Sequence, residues 1–176
     1  LARGIDTLVM RADDAYADMD AHATAEALAS VLSGMDYDLV ICGDGSADNY
    51  AQQVDVQLAS KLGLPVVNAV TKITAKDGAV EVERTLEDVV EVVEVPLPAV
   101  ISVTPDVAIP RIPGMKGILA AGKKPMDVAG ADVAPANVIE VVSCKAPEQA
   151  DRKLEILDAS ADGAIEKFAA ALKAAL

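Results

Sequence analysis

The spacing of apolar side chains changes character several times along the chain, and each change predicts a different element. Leu39-Val-Ile-Cys42 is a short continuous apolar run, the pattern of a buried strand. Gly43 and Gly45 interrupt it, and glycine enters left-handed backbone without a Cβ penalty. Beyond them Ser46, Asp48 and Asn49 are residue types that cap helix N-termini. From Tyr50 the period becomes helical, with Val54, Leu58 and Leu62 at i, i+4 spacing and Gln52 and Gln53 in the first turn. Gly63 and Pro65 close that helix. The stretch from Asp38 to Gln53 therefore reads as strand, glycine turn, helix N-terminus. In an open α/β sheet such a corner lies at the carboxyl edge, where ligands bind and backbone N–H groups face an anion.

Before this corner, Asp6 to Met10 reads as a strand and Asp13 to Asp20 as an acidic connection. A helix opens at Asp20 or His22, with Ala23, Ala27, Leu28, Val31 and Leu32 on one stripe and Gly34 as its stop. After it, Val66 to Ile73 is nearly all apolar, as in a strand covered on both faces. Ala79 to Arg84 and Val89 to Val95 then alternate apolar and charged residues around Lys76-Asp-Gly78, which predicts a half-exposed antiparallel hairpin. Pro96 to Val103 is a further buried strand, and Asn137 to Val142 one more. Between them, Pro105 to Pro125 is rich in proline and glycine yet carries Ile109, Ile112, Met115, Ile118 and Leu119, which fold back or meet a partner. Lys116, Lys123 and Lys124 make this segment locally basic. A polar arm from Lys145 ends in an amphipathic helix, Ala161 to Leu176, with Ile165, Phe168, Leu172 and Leu176 on one side. The expected fold is α/β, an open and mostly parallel sheet with an added antiparallel hairpin and a C-terminal arm, divided as 1–145 and 146–176.

Composition narrows the function. Of the 176 residues, 52% are hydrophobic, enough for a sizeable core. A net charge of -13 and an aromatic share of 2% argue against nucleic acid, which needs basic or stacking surfaces, and against an anionic membrane. No apolar run is long enough to span a bilayer. Cys42 and Cys144 read as small buried hydrophobes, and with the single His22 they make no zinc set. There is no P-loop, Rossmann fingerprint, zincin motif or nucleophile elbow. Without acid–base or metal candidates, chemistry must come from a bound cofactor. Asp44 and Asp48 repel bare phosphate and suit sugar hydroxyls or helix capping. A glycine turn is needed at any βα junction, so Gly43-Asp-Gly45 alone does not prove a ligand. Asn68 in a buried strand and Arg84 in an acidic segment each admit a structural or a ligand-contact role.

Taken together, Asp38 to Gln53, Glu83-Arg84, Pro96-Leu-Pro-Ala-Val100, Pro110 to Leu119 and Lys123-Lys-Pro125 resemble the beta subunit of electron-transfer flavoproteins, in the Fix/carnitine-type branch. The resemblance runs in order over almost the whole chain. It implies a sheet of the adenine-nucleotide-binding, HUP-like type and a heterodimer with an alpha subunit that carries a further FAD. It also implies electron shuttling between dehydrogenases or NADH and quinone or ferredoxin-type acceptors, in a cytoplasmic, bacterial-type setting. The nucleotide loop it implies is Gly43, Asp44, Gly45, Ser46, Ala47 and Asp48, followed by Gln52, Gln53 and Val54. Many AMP-binding members have Asn, Gln and Thr at the last three positions. Val54 lacks the hydroxyl and resembles FAD-binding, electron-bifurcating relatives, so FAD is expected over AMP. The segment 103–125 corresponds to a recognition loop that anchors on dehydrogenase or quinone oxidoreductase partners. Met115 stands there in place of a leucine, flanked by Lys123 and Lys124. Arg84 matches an arginine near the alpha-subunit interface, although Thr85 replaces the acidic residue that often follows it. The resemblance further implies about eighty residues before Leu1, with weakened nucleotide binding by this stretch alone. The rival readings are a stand-alone, stress-protein-like nucleotide module and a structural interaction domain.

Overall fold

The computed structural model describes residues 1–134, 136–149 and 154–175. These divide into two units, Leu1–Glu140 and Val141–Leu176. In the first unit the chain runs β1 (Leu8–Arg11), a 3-10 turn (Asp14–Tyr16), α1 (Ala21–Leu32), β2 (Leu39–Gly43), α2 (Val54–Leu62), β3 (Val66–Lys76), β4 (Ala79–Thr85), β5 (Val90–Pro96), β6 (Ala99–Val103), α3 (Met115–Ala121) and β7 (Met126–Ala129). The second unit holds α4 (Ala164–Ala175).

Five strands form one open sheet in the order β2-β6-β3-β4-β5, and β1 pairs with β7 in a separate two-stranded sheet. The β2–β6, β6–β3 and β1–β7 pairings are parallel; β3–β4 and β4–β5 are antiparallel. The expected α/β fold with an added hairpin is therefore what forms. β3 joins the two halves. Its first residues pair with β6 and its last with β4, and the register shifts on both sides near Val70. Ala69 takes a left-handed φ of 56° at that switch.

β6 lies inside the sheet because its residues tolerate no water. Ala99, Val100, Ile101 and Ser102 are fully buried. Ile101 pairs with Ile41 of β2 on one side and Val67 of β3 on the other. Val67, Val70, Val80, Val82, Val95, Ala99 and Ile101 form one cross-strand cluster, with Leu39, Ile73, Val93, Leu97 and Val103 packed against it. α2 packs on β3, β6 and α1, with Leu58 and Ala59 buried beneath it.

α1 begins where expected. Asp20 is its N-cap, accepting from the Ala23 N–H at 2.8 Å. The same carboxylate also accepts from the Val138 and Ile139 N–H groups at 2.7 and 3.0 Å. These contacts replace the strand expected over 137–142, which does not form. Val138, Ile139, Val141 and Val142 are exposed, so no sheet face rewards their alternation. Cys144 is likewise exposed rather than buried, and both cysteines are free.

α2 starts later than its sequence period suggests. Its N-cap is Gln53, with no side-chain cap bond, rather than Ser46, Asp48 or Asn49. Tyr50 and Gln52 adopt left-handed φ values of 45° and 52°, which break the helix before Val54. Gly63 ends it with a left-handed φ of 69°, as expected. α3, within the proline- and glycine-rich segment, and β7, just after it, are elements that the spacing did not predict. In the second unit, α4 exposes Ile165, Phe168 and Leu172. Leu176, the fourth residue of the expected stripe, lies outside the described residues.

Candidate functional site

The site grows out of the end of β2. Val103 of β6 accepts the Asp44 N–H at 3.0 Å, and the buried Ser102 hydroxyl lies 3.4 Å from the Gly43 carbonyl, which it faces as a donor. These contacts tie the glycine turn to the carboxyl ends of two parallel strands. The chain then loops over Ala47 and Asn49 and returns at Gln52 to the start of α2. Between the two limbs is a cavity of about 430 Å³ lined by Leu28, Cys42, Gly43 to Ser46 and Ala51 to Asp55.

Seven of the nine nucleotide-loop residues expected from the sequence meet at this cavity: Gly43, Asp44, Gly45, Ser46, Gln52, Gln53 and Val54. Ala47 and Asp48 do not line it. Asp48 instead serves the loop itself: its carboxyl is held below the usual carboxylate range by the Ser46 hydroxyl and the Asn49 N–H.

Neither Gly43 nor Gly45 is left-handed, contrary to the sequence expectation; the strained positions are Tyr50 and Gln52. Gly45 is required for a different reason. A Cβ there would lie 2.6 Å from the Tyr50 ring, so only glycine admits that contact. The Tyr50 hydroxyl donates to Asp44 Oδ2 at 2.8 Å, and the Gln52 amide donates to the same oxygen at 2.9 Å. Tyr50 does not line the cavity. Sequence reasoning assigned it no role beyond opening the helix, and its contact with Gly45 is not visible in spacing.

The electrostatics set what the cavity can hold. Two carboxylates, Asp44 and the buried Asp55, border it, and neither lysine nor arginine does. Burial pushes the Cys42 thiol up, with Asp55 adding to the effect, so Cys42 stays a neutral thiol. Among the described residues, the N–H groups of Gly45, Ser46 and Val54 make no hydrogen bond. The donors available to a ligand are thus backbone N–H groups and the Gln52 and Gln53 amides, and the carboxylates accept from hydroxyls. That set suits a ribose together with a phosphate held by backbone and helix end. The cavity volume falls within the ~300–1,000 Å³ range of small-molecule clefts.

The remaining expected residues lie elsewhere. Arg84 sits on β4 with its Nε 3.1 Å from Glu91 Oε2 of β5, near enough for an ion pair but not aligned as a hydrogen bond. Met115 is the first residue of α3 and is 73% exposed. Lys123 is exposed, whereas Lys124 donates to the Leu1 and Ile5 carbonyls and so holds the chain start against the end of α3. His22 lies on α1 with its Nε2 3.4 Å from Lys61 Nζ. Asn68 on β3 does not line the cavity. Among the described residues, no group of acidic, histidine or cysteine side chains is placed to hold a metal ion. Among them, too, no helix is long and apolar enough to cross a membrane.

A family model, that of the electron transfer flavoprotein domain, matches residues 1–134. The chain belongs to this family. Electron transfer flavoprotein domains carry flavin and exchange electrons with redox partners. The donor set around the cavity of this domain fits the ribosyl and phosphate parts of a flavin or adenine nucleotide.

Proposed function

We propose that this chain is the beta subunit of an electron transfer flavoprotein of the Fix/carnitine type. It binds an adenine-containing nucleotide, FAD in preference to AMP, in the cavity between Gly43 and Asp55. It pairs with an alpha subunit that carries a further FAD, and it passes electrons between a dehydrogenase or NADH and a quinone or ferredoxin-type acceptor in the cytoplasm, the electron-bifurcating type included. The observation that carries this reading is the convergence of seven loop residues, drawn from the end of β2 and the start of α2, on one cavity in a chain of this family.

A flavin bound here supplies the redox chemistry; the chain supplies binding and orientation. The Asp44 carboxylate accepts from ribose hydroxyls. Gln52, Gln53 and the unpaired N–H groups of Gly45, Ser46 and Val54 donate to phosphate oxygens. Val54 offers only methyl groups where a threonine would add a hydroxyl, which disfavours a terminal phosphate monoester. Electron transfer itself asks for no general acid or base.

Partner contacts rest on a separate surface. Ile109, Ile112 and Met115 are 97%, 90% and 73% exposed around the start of α3, an apolar row that solvent does not favour. Met115 fills a partner pocket there, with Lys123 at the rim, and Lys124 supports the same surface. Arg84 meets the alpha subunit.

Co-expression with an electron transfer flavoprotein alpha subunit tests the assignment. The two chains are expected to co-elute on size exclusion as a yellow complex. Separate elution of a colourless 176-residue chain contradicts it.

A further inference from the structure

We propose that Tyr50 is a positioning residue of this loop, the brace that sets Asp44 and Gln52 around Gly45 and so fixes the donors and acceptors that face the cavity. The proposal rests on the nucleotide reading above for its consequence, but not for its geometry.

Two non-glycine residues within three positions, Tyr50 and Gln52, hold left-handed backbone. Such conformations persist only where the surroundings over-determine them. Four contacts do so here. The Tyr50 N–H donates to the Ser46 carbonyl at 3.1 Å, closing the loop. The left-handed turn carries the aromatic ring back onto Gly45, into the space a Cβ would occupy. The phenol then donates to Asp44 Oδ2, and Gln52 donates to the same oxygen. One carboxylate oxygen therefore fastens the returning limb to the outgoing one, while Oδ1 remains for a ligand hydroxyl. Because Tyr50 is absent from the cavity lining whereas Asp44, Gly45 and Gln52 belong to it, its influence on a ligand passes through them.

A phenol that donates to a carboxylate resists losing its proton, and Tyr50 is accordingly pushed above the ordinary tyrosine value, first by the Asp44 hydrogen bond and then by the Asp44 charge. This provides a readout that a ring serving only as packing would not give.

The test uses the 176-residue chain followed by ring and side-chain amide NMR through an alkaline titration, with AMP and FAD as probes. In the native chain the Tyr50 phenol is expected to titrate at higher pH than in Asp44→Asn or Gly45→Ala. Tyr50→Phe, which keeps the ring on Gly45, is expected to shift the Gln52 side-chain amide and to weaken the preferred nucleotide about tenfold, the size of one charge-assisted hydrogen bond. Tyr50→Ala is expected to weaken it further. Tyr50 is 58% exposed, so neither change threatens the core. An unchanged Gln52 amide in Tyr50→Phe, or a Tyr50 titration indifferent to Asp44→Asn, overturns the brace. Should the native chain bind neither nucleotide while both NMR signatures hold, the brace stands; if its complex with an alpha subunit then also holds no second nucleotide, the nucleotide reading is what fails.

Discussion

Replacing Ile101 with alanine probes the link between the sheet and the glycine turn. Ile101 is fully buried in β6, and its register partner Ile41 on β2 is 58% exposed. The same substitution at the two positions removes the same atoms and nearly the same strand preference, so their difference isolates burial. Three buried carbon groups at ~0.8 kcal/mol each make about 2.4 kcal/mol of lost transfer energy. The cavity left behind raises the total for Ile101→Ala to about 3–4 kcal/mol, within the range known for such changes. A chain of this size then melts ~6–16 °C lower. Ile41→Ala, more than half solvated already, should cost about 1 kcal/mol or less. Tyr16, Tyr37 and Tyr50 all lie in the unit Leu1–Glu140, so tyrosine near-UV circular dichroism in urea follows that unit alone. Because Val103 and Ser102 of the same strand hold Asp44 and Gly43, Ile101→Ala should also release the Tyr50 phenol from Asp44 at denaturant concentrations below the main transition. Equal losses from the two substitutions would refute the account of β6 as the sealed centre of the sheet.

Two further outcomes follow from the same structure. Asp20 caps α1 with its carboxyl held below the ordinary value, chiefly by the Ala23 N–H and then by Val138 and Ile139. A depressed folded-state value means that the ion's contribution is present at neutral pH and is lost as pH falls through that value. Asp20→Ala is therefore expected to lower the urea midpoint at pH 7, with the gap to the native chain closing below about pH 4; a gap independent of pH contradicts this. Met115→Asp places a charge on an exposed position at the start of α3. It is expected to weaken capture of a dehydrogenase or quinone oxidoreductase partner at least tenfold in pull-down titrations, while the unfolding free energy stays within about 0.5 kcal/mol of the native chain's. Loss of stability without loss of capture would move Met115 from partner contact to local packing.

The sheet was legible because its patterns are of two kinds and unambiguous in context. Apolar runs at Leu39–Cys42 and Ala99–Val103, the latter broken only by Ser102, became parallel strands, and the alternation of apolar and charged residues over Ala79–Arg84 became half of the hairpin. The segment 137–142 shows the limit: Val138, Ile139, Val141 and Val142 read as a strand, yet no neighbouring strand accepts them. β7 was hidden for the opposite reason. Met126–Ala129 is short and exposed, and only its pairing with β1 makes it a strand. At the candidate site, residue types identified the loop, but the start of α2 was obscured. Ser46, Asp48 and Asn49 are good caps by type, and the left-handed turns at Tyr50 and Gln52 depend on a ring contact across five residues that no local period encodes.

The central claim is that the cavity bounded by Gly43 and Asp55 holds an adenine-containing nucleotide beside a partner's flavin. Denaturing the purified complex with its alpha subunit and quantifying the released small molecules tests it most directly. Two FAD per pair are expected, or one FAD and one AMP, and Gly45→Ala is expected to lose the nucleotide assigned to this chain. One FAD per pair with no second nucleotide, unchanged by Gly45→Ala, would contradict the account.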